Sequence, residues 1–132
     1  MVPAGVENAI GTISATIFKD PADPDTSSDA DVKTYLAFME KYYPAGDKYD
    51  TLNVAAFVEG EIMTELMRRC GQDLTRENLL AQLQKFGAME VPMVRRGLKV
   101  RADVENYNLF RSLQLVKFDG QRNRPIGTPV GN

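Results

Sequence analysis

The stretch from Asp50 to Gly71 constrains the fold of this chain more than any other. It contains no proline, and Val54, Ala55, Val58, Ile62, Met63, Leu66, Met67 and Cys70 recur at helical spacing. Asp50 or Thr51 is placed to cap the free N–H groups at the start. Gly71 suits a left-handed stop, and Arg68 and Arg69 sit where the last turn favours cations. On a helical wheel the apolar positions cover more than half the circumference, which predicts a helix packed on two sides. Glu59 falls inside that arc. It reads as partnered by Arg69 or by backbone groups, or as lying at the edge of the buried zone, with ligand contact as the alternative.

Such a helix needs other layers to pack on, and the flanking sequence offers them. Ile10 to Phe18 alternates Ile13, Ala15 and Ile17 with Thr12, Ser14 and Thr16, a period of two that predicts a strand. Asp20 to Ser28, with Pro21 and Pro24, reads as an irregular loop. A first helix follows, with Val32, Tyr35, Leu36, Met39, Tyr42 and Tyr43 on one stripe. Ser28 or Asp29 caps it, and Pro44-Ala45-Gly46 stops it. Thr75 caps a third helix with stripe Leu79, Leu80, Leu83 and Phe86, ended by Gly87. Met89 to Arg96 shows no period and reads as loop. Leu98 to Arg101 reads as a short strand, and Asp103 to Asn108 as a turn. Phe110 to Phe118 reads as a strand turning back at Asp119-Gly120, a tight-hairpin signal, into Pro125-Ile126. The tail from Gly127 to Asn132 reads as frayed.

Composition narrows the function. The 132 residues suffice for one compact domain with a core of its own. A formal net charge of −2 gives no sign of a nucleic-acid surface. No apolar run approaches the roughly 18 to 20 residues that span a bilayer. Histidine is absent, which removes the commonest general base and zinc ligand. The first residues lack the basic start and apolar stretch of a signal peptide. The expectation is a cytoplasmic chain, or an export signal on sequence outside this one. The single cysteine, Cys70, excludes an intrachain disulfide. It sits at a helix C-terminus with no histidine to take its proton, so it reads as a small buried apolar residue. Asp23, Asp25, Asp29 and Asp31 are spaced like the start of a calcium loop but lack its glycine and terminal glutamate. They read as a solvated capping loop.

Three segments together resemble a known family. Tyr49 to Glu61, running on to Leu66-Met67-Arg68-Arg69-Cys70-Gly71, is followed by Asp73-Leu74-Thr75-Arg76-Glu77-Asn78. Upstream stands Lys19-Asp20-Pro21-Ala22-Asp23-Pro24, and downstream Leu113-Gln114-Leu115-Val116-Lys117-Phe118-Asp119-Gly120. In order and spacing these resemble the late part of the leucine/isoleucine/valine-binding proteins, which serve ABC importers. The resemblance runs from about Ile10 to Val130. It departs at Arg96-Gly97, where the family often has Pro-Gly, and near Asn123, where it often has an aromatic residue.

The resemblance implies an α/β fold, a partial lobe of the type I periplasmic binding fold. It comprises a strand, three helices and a C-terminal ribbon, with the sheet incomplete without an N-terminal part. The whole chain is then a single C-terminal fragment. Residues 17–108 fall to the first lobe, and about 1–16 and 113–132 to the second lobe and hinge. The resemblance further implies a small-molecule ligand, an amino acid or related carboxylate, and an ABC permease as partner. It implies a periplasmic or extracytoplasmic location, no cofactor and no enzymatic activity. The early Gly/Ser/Thr loops that grip the ligand in this family have no counterpart here, which leaves open whether this chain alone binds ligand, and the isolated fragment is expected to self-associate.

The first turn of the long helix is the expected ligand-proximal region. A helix N-terminus offers free N–H groups to a carboxylate, and Tyr49, Leu52, Asn53 and Phe57 supply an apolar wall and a polar contact. The competing reading is capping and core packing. Tyr35, Tyr42, Tyr43 and Tyr49 read as core edge, one of them reaching the cleft in the alternative. Two other functions stand beside solute capture: a ligand-sensing or interaction module of the same fold, and a truncated paralogue that binds no ligand. An enzyme is a remote fourth, because no carboxylate pair has a partnered site.

Overall fold

The computed structural model describes residues 5–131; the expectations for residues 1–4 of the hinge segment and for Asn132 of the tail lie outside them. The chain is mixed α/β, with three helices and two small antiparallel sheets. In chain order these are β1 (Ile13–Thr16), α1 (Ala30–Tyr42), α2 (Thr51–Cys70), α3 (Arg76–Gln84), β2 (Gly87–Met89), β3 (Val100–Ala102), β4 (Ser112–Phe118), β5 (Asn123–Pro125) and β6 (Val130–Gly131).

The helices begin where their capping chemistry lies. The Asp50 carboxylate accepts the Leu52 N–H at 2.9 Å, and the Thr75 hydroxyl oxygen accepts the Asn78 N–H. Asp29 occupies the N-cap of α1, but its side chain caps nothing, being committed to Lys19 and Arg96. Gly71 closes α2 at φ 63°, a conformation that costs a residue with a Cβ.

The core joins α1, α2 and the β2–β3 hairpin. Val32, Tyr35, Val54, Val58, Met93 and Val100 are almost wholly removed from water. Each such side chain contributes about 1.5–3 kcal/mol relative to exposure. The Phe57 ring meets Tyr35 and Phe38 edge-on at 5.3 and 5.2 Å. Only one side of α2 is packed, contrary to the two-sided expectation. Val54, Phe57, Val58, Ile62, Leu66 and Cys70 face the core, while Met63 and Met67 remain open to solvent. Glu59 is exposed, and Arg69 pairs with Glu65 instead, 2.8 Å away on the same helix.

Four further expectations are corrected. Residues 87–89, expected to follow the helix as stop and loop, form a strand because Val100–Ala102 supplies the pairing edge. Within α3, Leu79 and Leu83 are part-buried against the core whereas Leu80 turns outward, and Phe86 packs from beyond the helix end. The β4–β5 turn is shifted by one residue. Pairing ends at Phe118 and Asn123, the Asp119 N–H donates to Arg122 O, and Gly120 takes a positive φ. Asp119 therefore precedes the turn centre, and its carboxylate accepts the N–H groups of Gln121 and Arg122. The tail is not frayed at its end, because Val130–Gly131 pairs with Ser112–Leu113 of β4.

In the larger sheet β4 lies between β1 and β5. The register pairs Ser14 with Val116 and Thr16 with Gln114, so these four share one face, together with Phe118 and its partner Asn123. Ile13, Ala15, Leu113, Leu115 and Val130 share the other, where Ile13 is 59% exposed and Val130 also open. On that face Ala15 is exposed as well, while Leu113 and Leu115 are half-buried.

Candidate functional site

The exit from β1 brings together most of the chain's buried charge. The Lys19 N–H donates to Met93 O, and the Arg95 N–H donates to Ile17 O. These bonds lay residues 93–95 beside the end of the strand. Lys19 is only 7% exposed, and its Nζ donates to Asp29 Oδ2 at 2.9 Å and Asp31 Oδ2 at 2.7 Å. Asp31 also accepts the Met93 N–H at 3.0 Å and the Val32 N–H. Met93 is held there at φ 67°, unusual for a side chain of its size. Burial works against the charge on Lys19, but the two carboxylates outweigh it and its pKa is raised. Burial likewise pushes Asp31 up, and Lys19 with the backbone donors brings it below the ordinary carboxylate range.

The four closely spaced aspartates are therefore not a solvated capping loop. Asp29 and Asp31 are bound by Lys19, and Asp23 and Asp25 by Arg122 at the far turn of the sheet. The sequence signal for this was Lys19 itself, a lone cation between a strand and an acidic run.

Arg95 stands beside this hub with a different fate. Its Nε donates to Phe18 O at 3.0 Å, and no carboxylate among the described residues forms an ion pair with it. Burial draws its pKa below the ordinary guanidinium value, opposed by Asp23 and Asp20. It lines a cleft of about 250 Å³ between the sheet and the start of α2, with Ser14, Thr16, Asp20, Tyr49, Thr51 and Asn123 also on the walls. Two adjoining hollows, lined in part by Lys19 and Arg96, also open onto Arg95.

The four residues expected at the ligand do not converge. Tyr49 lines the Arg95 cleft. Leu52, 75% exposed, faces solvent. Asn53 donates through Nδ2 to Asp47 O at 2.8 Å, which clasps the loop entering α2. Phe57 belongs to the core through its contacts with Tyr35 and Phe38. Asn53 and Phe57 border a separate apolar groove of about 390 Å³ between α1 and α2, with Phe38 and Tyr43. Reading along the sequence missed Arg95, because residues 89–96 carry no periodicity and only the pairing with β1 places its side chain.

Cys70 is buried and free. Among the described residues no helix is long and apolar enough to cross a membrane. The chain matches no protein-family model, no curated protein and no solved structure.

Proposed function

We propose that this chain is the C-terminal portion of an extracytoplasmic solute-binding receptor that delivers an amino acid or related small carboxylate to an ABC importer. The observation that carries the reading is the Arg95 cleft. It is polar and small-molecule sized, and it lies where the β1–β4–β5 sheet meets the helical body. In a two-lobed receptor the ligand sits beside the strands that join the lobes, and closure around it shifts a hinge equilibrium. The exposed Ile13, Ala15 and Val130 on one face of the sheet support the same reading, because a second lobe packs on such a face. In this reading residues 17–108 serve the first lobe and the sheet segments the second, the chain performs no chemistry on its solute, and a permease reads the closed state.

A second reading draws on that same open face. Here the chain is a shortened relative, or an interaction module of the same fold, that associates through the sheet. Thermal-shift measurements against amino acids, amides and aromatic carboxylates separate the two. A ligand that binds only the native state raises the melting temperature. A shift of several degrees with one of these classes supports the receptor reading; none with any of them, in this chain or in a longer parent, removes it.

A further inference from the structure

We infer that the groove between α1 and α2 is a binding site for a primary ammonium carried on a compact aromatic body. The site is separate from the Arg95 cleft and does not depend on the receptor reading. Its volume of about 390 Å³ falls in the range that holds small organic ligands. The rings of Phe38 and Tyr43 line it and stay exposed, and Phe57, fixed in the core against Tyr35 and Phe38, also reaches its wall. Gly60 lines the same groove in the middle of α2. Glycine inside a helix is less stable than alanine, and a Cβ at this position meets nothing within 4 Å. Packing within the chain therefore gives no reason for a glycine there, whereas the missing side chain keeps the groove open.

The polar groups on the walls select a cation. Glu61 is the one charged residue lining the groove; it is half-buried, and its carboxylate has no ion-pair or hydrogen-bond partner among the described residues. Asn53 Nδ2 donates away to Asp47 O, which leaves Oδ1 as an acceptor, and the Thr64 hydroxyl adds another. An ammonium has three donors and no acceptor, so it complements this set. A carboxylate would find no cation on the walls and would meet Glu61. Aromatic faces attract a cation within about 6 Å of the ring centre. Two such contacts stand at this end of the molecule, Lys41 Nζ 4.7 Å from the Tyr42 centroid and Lys48 Nζ 5.5 Å from that of Tyr49. Among the described residues no cation lies over Phe38, Tyr43 or Phe57. A second copy seated groove to groove would bring two Glu61 carboxylates together, which favours the organic cation as occupant.

The test is a titration of the full chain with phenethylamine, read by amide chemical shifts and calorimetry. The largest shifts are expected at Ala56, Gly60, Glu61 and Thr64. 2-Phenylethanol keeps the ring and loses the charge, and 3-phenylpropionate reverses it. Each is expected to bind about 10-fold more weakly, the lower end for one charge-assisted contact at a half-exposed site. Glu61→Gln is expected to lose a similar factor for the amine and none for the alcohol. Gly60→Leu adds a side chain where a Cβ has open space, and is expected to abolish the shifts while the melting temperature is kept. Far-UV dichroism and a melting curve on each variant confirm the fold. The inference fails if the alcohol binds as tightly as the amine, or if Glu61→Gln binds the amine as well as the native chain does. It fails equally if the amine shifts no groove residue. Groove amides that shift with protein concentration rather than with the amine assign the groove to a second copy, and also overturn it. None of these outcomes bears on the Arg95 cleft.

Discussion

Lys19 Nζ lies 2.7 Å from Asp31 Oδ2, which ties the end of β1 to the first turn of α1 across twelve residues of chain. Asp31 in turn holds the Met93 N–H, so one carboxylate fixes three segments. Lys19→Met keeps the aliphatic stem and removes the charge, leaving Asp29 and Asp31 facing each other. A fully buried pair costs about 3–5 kcal/mol when one partner is removed. Asp31 is partly open to water, so about 2 kcal/mol is expected here, read as a lower urea midpoint at unchanged slope. A midpoint equal to that of the native chain contradicts the role assigned to Lys19.

The carboxylates fix the acid side of the stability profile. Lys19 holds Asp29 down, Arg111 holds Asp103 down, Arg124 holds Asp119 down, and Arg68 with Arg69 brings Glu65 to about 2. Folded values lie below the unfolded values of about 3.9 and 4.3, so these groups stabilise the fold above that range. The contribution fades as pH falls from about 5, Glu65 being among the last to protonate near 2. Lys19 has the opposite sign. Its folded value is raised, so its contribution is complete below about 10.4 and is lost as pH rises beyond it. With no histidine in the chain, side-chain titration leaves the range from 6 to 8 flat. Urea melts from pH 2 to 11 check the shape, and a steep slope between 6 and 8 contradicts it.

Phe57 was a candidate for ligand contact, and its place in the core gives a different expectation. Phe57→Ala removes a buried ring touching Tyr35 and Phe38 and is expected to cost about 3–5 kcal/mol. Phe57→Leu is expected to cost less. Thermal melts of both decide it, and a Phe57→Ala chain as stable as the native one argues against core packing. The neighbouring Leu52→Ala is expected to leave stability within about 0.5 kcal/mol, because Leu52 is mostly exposed.

The open sheet face predicts association of the isolated chain. Ile13, Ala15 and Val130 are exposed on one face of the sheet, next to the unpaired edge of β1. Light scattering is expected to show a mass that rises with concentration, and the pair Ile13→Lys and Val130→Lys to bring it down to the monomer. A native chain that stays monomeric throughout removes the proposal.

Much of this architecture was legible in the residues. Helices α1 and α2 carry both periodicity and caps, and Asp50, Thr75 and Gly71 act where local chemistry puts them. The alternation around Ile13 and the run to Phe118 located the two main strands. The site was less legible. Of the four residues expected near a ligand, Tyr49 alone reaches the Arg95 cleft, because the one-turn spacing of the others says nothing about which neighbour each meets.

Local residue chemistry sufficed for the caps of α2 and α3 at Asp50 and Thr75 and for the stop of α2 at Gly71, since a cap or a left-handed glycine acts within a few residues. The sequence alone also determined the lack of histidine chemistry and of any intrachain disulfide. Tertiary structure alone decided the rest. Short segments without periodicity became strands because a partner edge was present, as Gly87–Met89 did beside Val100–Ala102 and Val130–Gly131 beside β4. The fate of each charge was decided the same way. Lys19 and Arg95 both stand beside the end of β1, but Lys19 meets two carboxylates and Arg95 meets a backbone carbonyl. The difference arises because such contacts depend on distances of a few ångströms, and residues far apart in the chain, 62 positions for Asp31 and Met93 and 77 for Phe18 and Arg95, acquire them only when the chain has folded.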